Sequence, residues 1–227
     1  LGVPPTNNDK IIKVSSSSEE LQLFNILFSR YKTNQLALFA KIMQLESSPS
    51  MLLEKLDLKE FEELLDLSGN HEDLVEYIDY SQDIEDLVNQ IEITSNMQAL
   101  LSLIKDIVSQ SKTAITWCIF VKTMYDLKHY LNSMGIRAEV ISGSVHQEER
   151  NEIISRFKNK EIDILITNPH TLAESVSLHQ TCHDAIYFEY SYNLVHLLQS
   201  KDRIHRLGLK DDDYTQYYYF QQNYSCL

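Results

Sequence analysis

The sequence predicts an α/β fold in two parts: a mostly helical region over residues 1–95, and a doubly wound parallel sheet with helices on both faces over residues 96–227. Two observations support this. After residue 96, short continuous apolar runs alternate with amphipathic stretches of helix length, which is typical of parallel sheets with right-handed crossovers. Before it, apolar residues recur mainly at helical spacing. The predicted strands are Ile115–Phe120, Ala138–Ser142, Ile162–Thr167, Asp184–Glu189 and Tyr214–Gln221.

Helix signals dominate the N-terminal region. A weak alternation over Asp9–Val14 predicts one short strand. Ser15–Ser18 then supply N-cap hydroxyls, and Glu19 and Glu20 place carboxylates in the first turn of the helix that follows. A second helix is predicted over Gln35–Leu45. These helices carry packing residues, and no chemistry is expected of them.

The net charge of −13 is concentrated in one segment. Residues 53–92 contain 14 acidic side chains against Lys55 and Lys59, so this segment carries −12 and the rest of the chain −1. An acidic protein repels nucleic acid, but here the acidity does not extend over the predicted sheet. The segment predicts two or three short amphipathic helices with a solvated acidic face, and the alternative is a docking surface for a basic protein partner.

Composition argues against several other classes of protein. Cys118, Cys182 and Cys226 lack paired spacing, which argues against a disulfide framework or a zinc site. Cys118 lies inside an apolar run and is predicted to be a small buried residue. The histidines of the second half fit no metal-ligand spacing, so no metal is expected. No apolar stretch approaches the ~20 residues of a bilayer span and no signal sequence is seen, so the expected localisation is cytoplasmic.

The predicted strands alternate with helix-start signals. A helix is predicted over Met97–Val108, before the first of these strands. Ser144 and Gln147 form the capping-box pattern Ser-x-x-Gln, which predicts a helix that begins at Ser144. Asn168 followed by Pro169 predicts an N-cap and a first helical residue directly after the third strand.

Four connections are expected at the edge where such sheets bind their ligands, beyond the carboxyl ends of the strands. Helix starts beside a lysine suit a phosphate backbone, because the first N–H groups of a helix are unsatisfied and attract anions. Simple helix capping, without any ligand, is the alternative at each position. The four connections are Val121–Lys122, Gly143–Ser144, Thr167–Pro169 and Tyr190–Asn193.

The segment Gln199–Gly208 has the most specific pattern in the chain. If it is helical, Gln199, Arg203 and Arg206 fall at i, i+4 and i+7, on one stripe roughly 10 Å long. The two guanidiniums then face the same way. A planar guanidinium suits phosphate oxygens, and the amide of Gln199 can position a water or a ribose hydroxyl. A solvated basic face on a surface helix is the alternative.

Taken in order, these segments resemble the motifs of superfamily 2 helicases, most closely the Swi/Snf-like DNA translocases of prokaryotic type. Gln199–Gly208 resembles motif VI, Ile164–Leu178 resembles motif V, and Ile115–Phe120 stands where motif IV does. The block Gly143–Arg150 is similar to the Gly-Ser…Arg element between them, and residues 1–49 are similar to the bridge between the two lobes. The resemblance implies a RecA-like C-terminal helicase lobe.

The same resemblance implies roles for individual residues. Arg203 and Arg206 would be arginine fingers that reach the γ-phosphate of an ATP held on another lobe, with assistance from Gln199. Glu174 and Asp202 would lie on the nucleotide side. Contacts to the DNA backbone, which hold phosphates rather than read bases, would come from Lys122, Gly143, Ser144, Thr167 and Asn168.

The P-loop motif G-x-x-x-x-G-K-[ST] and an Asp-Glu-x-His box do not occur in the sequence. The resemblance therefore implies that ATP and Mg²⁺ are bound mainly by a separate N-terminal RecA-like lobe, and that this chain alone is inactive. The expected partners are that lobe and double-stranded DNA, with a protein partner for residues 53–92 left open and no membrane. Two alternatives are a non-catalytic RecA-like interaction module and the lobe of an RNA-directed superfamily 2 helicase.

Overall fold

A computed structural model describes residues 9–55, 81–168, 182–189 and 216–225. The chain forms two compact units. The sheet unit comprises residues 1–12 and 100–221, and the helical unit comprises residues 13–99 and 222–227.

The described residues form a sheet of six strands. They are β1 (Asp9–Ser15), β2 (Ala114–Trp117), β3 (Ala138–Ile141), β4 (Ile164–Thr167), β5 (Asp184–Tyr187) and β6 (Gln216–Asn223). Their order in the sheet is β1-β6-β5-β2-β4-β3, and β2–β4, β2–β5, β3–β4 and β5–β6 are parallel pairs. Ala114 is level with both Ile164 and Asp184, so three central strands begin together. The predicted parallel α/β fold is confirmed.

Helices lie between β2 and β3 and between β3 and β4, as the sequence predicts. Within the described residues the helices of the chain are α1 (Ser18–Tyr31), α2 (Gln35–Ser47), α3 (Gln82–Asn89), α4 (Ser95–Ser109), α5 (Val121–Ser133) and α6 (Gln147–Lys158), with a 3-10 turn over Pro49–Leu53. In the sheet unit, α5 packs on β3 and β4, and α6 packs on β3.

The core of the sheet unit is built from its central strands. All four residues of β2, of β4 and of β5 are buried, as expected of parallel strands covered on both faces. Aromatic side chains extend this core, since the rings of Tyr187 and Tyr219 stack with centroids 5.0 Å apart. Such stacked pairs stabilise a core by about 1 kcal/mol beyond their burial.

The central strands are shorter than the sequence predicts. The first predicted strand runs to Phe120, whereas β2 ends at Trp117. The apolar run continues because Cys118 and Ile119 are buried in the loop. Likewise, the predicted strand from Asp184 ends at Tyr187, and Phe188 and Glu189 are buried beyond it. A continuous apolar run indicates which residues are buried. Here the buried residues continue past the end of the strand, so the run overestimates the strand length.

A buried carboxylate organises the helical unit. Ser17 caps α1 in a reciprocal capping box with Glu20, which confirms the predicted helix start and is typically worth about 1 kcal/mol. The Glu20 carboxylate is fully buried and also accepts hydrogen bonds from the Ser95 hydroxyl (2.5 Å) and backbone N–H (3.1 Å). One glutamate thus joins the starts of α1 and α4. Of the predicted acidic helices, α3 lies in the described residues and residues 56–80 lie outside them.

Candidate nucleic-acid interface

The carboxyl ends of the parallel strands form one edge of the sheet, here named the carboxyl rim. Trp117 is level with Thr167 and with Tyr187, and Ile141 is level with Thr167. The loops that leave β2, β3, β4 and β5 therefore start at the same height. This register brings together side chains that are distant in the sequence.

Glu189 anchors the loop between β2 and α5. It is 3% exposed. Its Oε1 accepts hydrogen bonds from the backbone N–H groups of Ile119 (2.8 Å) and Phe120 (2.9 Å), and its Oε2 accepts one from the Thr123 hydroxyl (3.1 Å). Phe120 is the N-cap residue of α5 and gives no side-chain cap. A carboxylate two residues after the end of β5 therefore supplies the acceptor and the negative charge that this helix start lacks.

The same carboxylate affects a buried thiol. Cys118 is fully buried. Burial raises the pKa of its thiol well above the usual value, and the negative charge of Glu189 raises it further. The thiol is therefore neutral and packs as a small apolar group, which confirms the prediction for Cys118.

Arg150 fixes the loop between β3 and α6. Its Nε donates to the carbonyl of Val145 at 2.7 Å, and its Nη2 donates to the carbonyls of Gly143 at 3.1 Å and Ser142 at 3.4 Å. These acceptors carry no charge, and Arg150 forms no ion pair within the part of the chain that the structure describes. The guanidinium thus holds the loop through neutral acceptors, and no carboxylate among the described residues pairs with its charge.

Thr167 and Asn168 are buried beneath the carboxyl rim, at the end of β4. Thr167 is fully buried, and its hydroxyl donates to the carbonyl of Ile141 at 2.7 Å, which ties the end of β4 to the end of β3. Asn168 is 4% exposed. The helix predicted to begin at Asn168 falls on residues 169 onwards, which lie outside the described residues.

The exposed side chains of the carboxyl rim form a surface that we call the rim patch. The phenol of Tyr125, which is 43% exposed, lies 3.4 Å from the Ser142 hydroxyl, and that hydroxyl lies 3.0 Å from the Ser144 hydroxyl. Hydroxyls, accessible backbone and cations are the groups that contact sugar and phosphate. The rim patch consists of Val121, Lys122, Tyr125, Gly143 and Ser144, with Arg150 behind it.

Lys122 lies in a helix rather than in the predicted connection. The sequence prediction has it in the connection after the strand, but α5 begins at Val121, so Lys122 is in the first turn of that helix. Its side chain is 41% exposed, and Nζ pairs with the Asp126 carboxylate at 2.8 Å. An exposed i,i+4 pair contributes only about 0.3–0.5 kcal/mol, so a phosphate can compete for this lysine.

The predicted helix start at Ser144 is wrong. Helix α6 begins at Gln147, and its N-cap residue is His146, which makes no side-chain cap bond. Ser144 instead lies in a turn, closed by a hydrogen bond from the Val145 N–H to the Ser142 carbonyl at 3.1 Å. Arg150 holds the carbonyls of this turn, and the turn delays the helix by three residues. The capping-box pattern does not detect that competition.

The residues predicted for nucleotide chemistry lie outside the described residues. The carboxyl-rim residues, in contrast, are brought together by the structure. The undescribed set comprises Gln199, Arg203 and Arg206, the nucleotide-side residues Glu174 and Asp202, and the connection Tyr190–Asn193.

Sequence reasoning missed Glu189 and Tyr125 as rim residues. Glu189 was included in a strand, although a charged residue that ends an apolar run is itself a signal of a rim position. Tyr125 lies off the apolar stripe of its helix, whose buried members include Met124 and Leu127. Its partner, the Ser142 hydroxyl, becomes visible only once β3 is placed beside α5.

Over the residues that the structure describes, every helix is too short or too polar to cross a lipid bilayer. The same residues contain no group of three or more His, Cys, Asp and Glu side chains that could hold a metal ion.

A six-stranded parallel α/β lobe with this strand order has a RecA-like fold. The model of one family, described as the helicase conserved C-terminal domain, matches residues 95–208. The chain belongs to this family. The match confirms the helicase C-terminal lobe that the motif order indicates.

Relatives and solved structures agree with this assignment. Chromodomain-helicase-DNA-binding protein 1-like from Danio rerio is 35% identical over 83 residues, which are 36% of this chain and 8% of that protein. The C-terminal part of the Fun30 ATPase domain matches with a TM-score of 0.59 at 16% identity, covering 96% of this chain and 85% of that one. The Sulfolobus solfataricus SWI2/SNF2 ATPase C-terminal domain matches with a TM-score of 0.56 at 10% identity, covering 94% and 78%.

One further solved structure carries a nucleic acid. The Sulfolobus solfataricus SWI2/SNF2 ATPase core in complex with dsDNA has a TM-score of 0.59 at 12% identity, and the match covers 94% of this chain and 40% of that one. At such identities these structures establish the shared fold. The chain spans 8% of the length of the curated relative that it matches.

Proposed function

We propose that this chain is the C-terminal lobe of an ATP-dependent double-stranded DNA translocase of the Swi/Snf-like type. The observation that carries the proposal is its membership of the helicase C-terminal domain family over residues 95–208, a range that includes the whole Gln199–Gly208 segment. The fold shared with a SWI2/SNF2 core in complex with dsDNA supports duplex DNA as the track.

In this proposal the carboxyl rim receives the DNA backbone. Lys122 supplies a cation that exchanges Asp126 for a phosphate, and Gly143 and Ser144 supply accessible backbone and a hydroxyl. Thr167 and Asn168 are buried, so they act by holding the strand ends that carry these loops. Contacts of this kind are independent of base sequence and sensitive to salt.

Glu189 is a positioning residue in this scheme. It holds the N-terminal end of α5, and Lys122 is in the first turn of that helix. The direction in which Lys122 leaves the rim therefore depends on a carboxylate that follows the end of β5.

A second set of residues in this proposal acts on the nucleotide rather than on DNA. Arg203 and Arg206 are assigned as arginine fingers, Gln199 as their neighbour at the same interface, and Glu174 and Asp202 to the nucleotide side. ATP and Mg²⁺ are held mainly by an N-terminal RecA-like lobe. Arginine fingers stabilise charge that develops during phosphoryl transfer, and they contribute about 10³- to 10⁵-fold in rate.

The test is DNA-stimulated ATP hydrolysis by the full-length protein. Arg203→Ala and Arg206→Ala are each expected to lower kcat at least about 10³-fold. Arg156→Ala is the matched control, because Arg156 forms an exposed ion pair with Glu139 at 3.6 Å on the body of the lobe, and it should leave kcat unchanged. Turnover that persists in both finger variants would refute the assignment.

A second measurement separates the DNA contact from the chemistry. Lys122→Ala should weaken duplex binding and reduce the slope of log K against log[salt] by about one unit, while kcat at saturating DNA is retained. Stimulation by duplex RNA in place of DNA would favour the RNA-directed helicase instead.

A further inference from the structure

The segment that carries the proposed nucleotide residues follows β5 along the chain. Gln199 comes ten positions after Glu189, and the two arginines come after it. The lysine proposed to contact DNA is carried by α5, which follows β2. Because β2 and β5 are parallel neighbours in register, the chain leaves both strands at the same level of the carboxyl rim.

Backbone and side-chain hydrogen bonds join the ends of these two strands. The Phe188 N–H donates to the Trp117 carbonyl at 3.0 Å, which continues the pairing of β2 and β5 beyond the strands. One residue later, the Glu189 carboxylate accepts from the N–H groups of Ile119 and Phe120, which are 70 and 69 positions away in the sequence. The start of α5 and the residue that leads into the segment after β5 are therefore held to each other.

This connection is stiff because it is buried and charged. Glu189 is 3% exposed, and the hydroxyl of the buried Thr123 donates to its second oxygen at 3.1 Å, so the carboxylate also holds the first turn of α5. Little water reaches hydrogen bonds at this depth, and those to a charged acceptor are roughly twice as strong as neutral ones. A displacement of the α5 start therefore moves Glu189 with it.

We propose that Glu189 is the positioning residue that couples DNA binding to nucleotide chemistry. This role rests on the proposed function and adds a connection between its two sites. A phosphate that draws Lys122 towards the DNA displaces the start of α5, and Glu189 passes this displacement to the segment that contains the arginine fingers. Because coupling is reciprocal for binding, a nucleotide that repositions this segment changes the affinity for DNA by the same factor.

A coupling residue differs from a DNA contact in its kinetic effect. Loss of a contact such as Lys122 weakens binding, and saturating DNA restores the stimulated rate. Loss of the coupling residue lowers the stimulated rate even at saturating DNA, because bound DNA no longer repositions the nucleotide segment. The split between DNA affinity and maximal turnover therefore separates the two roles.

The test is ATP hydrolysis by the full-length protein, measured without DNA and with saturating duplex DNA. The quantity compared is the ratio of the stimulated to the unstimulated rate, because a loss of folded protein lowers both rates equally and leaves their ratio unchanged. Glu189→Gln keeps an uncharged acceptor and is expected to lower the ratio about fivefold, the difference between a charged and a neutral hydrogen bond. Glu189→Ala is expected to lower it at least about tenfold.

The matched control is Glu139→Gln. Glu139 is a carboxylate of the same lobe that forms partly exposed ion pairs with Lys128 at 3.0 Å and with Arg156 at 3.6 Å, and its removal should leave the ratio unchanged. A second measurement compares the affinity for duplex DNA with and without a non-hydrolysable ATP analogue. The fold-change between these two affinities should shrink in both Glu189 variants.

Two results would overturn the coupling role, and they are distinguishable. If DNA does not change the rate of ATP hydrolysis by the original protein, the proposed function fails and the coupling role fails with it. If DNA stimulates the original protein and Glu189→Gln to the same degree, the coupling role alone is overturned. Glu189→Gln decides the question if Glu189→Ala does not fold.

Discussion

The two edges of the sheet each bury a carboxyl group, but the two groups differ in their hydrogen bonding. At the carboxyl rim, Glu189 is buried with its oxygens on two N–H groups and a hydroxyl. At the opposite edge, where the parallel strands begin, Asp184 is just as buried, and its Oδ2 is without a partner among the described residues. A satisfied buried carboxylate fixes its surroundings, whereas an unsatisfied one destabilises the fold. Glu189 therefore ties together the loops that follow β2 and β5, whereas the Asp184 Oδ2 makes no such bond within the described residues.

The strongest test of the comparison is to remove the satisfied carboxylate. Glu189→Ala is expected to lower the free energy of unfolding of the sheet unit by about 3 kcal/mol, because two N–H groups and a hydroxyl lose a charged acceptor. The fluorescence of Trp117, the only tryptophan in the chain, follows urea unfolding at the end of β2. Glu189→Gln keeps one carbonyl acceptor and should lose less. If both variants unfold like the original chain, Glu189 does not hold the rim.

The second test concerns the other anchor of the carboxyl rim. Arg150→Lys keeps the positive charge but loses the planar fork that bridges three carbonyls. We expect a loss of about 1 kcal/mol and faster amide hydrogen exchange at Val145, whose N–H closes the turn. An unchanged rate of amide hydrogen exchange at Val145 would mean that the turn is stable without the hydrogen bonds from Arg150.

Glu189 and Arg150 also show which features of the fold can be predicted from the sequence and which cannot. The apolar runs at Ile115 and Ile164 predict buried parallel strands, and these form as expected. Their ends could not be predicted, because β2 stops where Glu189, some seventy positions later, provides acceptors for the departing backbone. Ser144 shows the same limit. Its local capping pattern is overridden by Arg150, whose bonds to the turn arise only in the folded loop.

The residues assigned to nucleotide chemistry were predicted from sequence motifs rather than from secondary-structure patterns. Arg203 and Arg206 were predicted from the order of motifs, and their roles stay predictions because they lie outside the described residues. The amino edge of the sheet carried no sequence signal. Lys112, Lys160 and Asp184 are far apart in the chain, and the shared starting level of β2, β4 and β5 brings them to one edge.

The third test removes the unsatisfied carboxylate. Because burial raises the folded-state pKa of Asp184, its stabilising contribution is complete below the unfolded pKa and is lost as the pH rises through the folded pKa. Asp184→Asn should therefore stabilise the sheet unit at pH 7 by about 1 kcal/mol, the scale of an unpaired buried group. The gain should shrink towards pH 4. A variant that is strongly destabilised at pH 7 would show that the carboxyl has a structural partner.

The smallest expected effect concerns the hydroxyl chain of the rim patch. Tyr125→Phe removes a phenol that lies 3.4 Å from the Ser142 hydroxyl and is partly exposed. Unfolding should change by less than about 0.5 kcal/mol. If Tyr125 contacts the sugar-phosphate backbone, duplex affinity falls although stability does not. A large loss of stability would instead make this phenol a third anchor of the rim.

The course of β5 has a consequence for regulation. This strand carries Asp184 at its start, and Glu189 follows its end by two residues, so five residues of roughly 3.3 Å each separate the two carboxylates by about 17 Å. Any free-energy coupling along this segment is reciprocal. A change around Asp184 that strengthens duplex binding at the carboxyl rim must itself be favoured, by the same factor, when the duplex is bound.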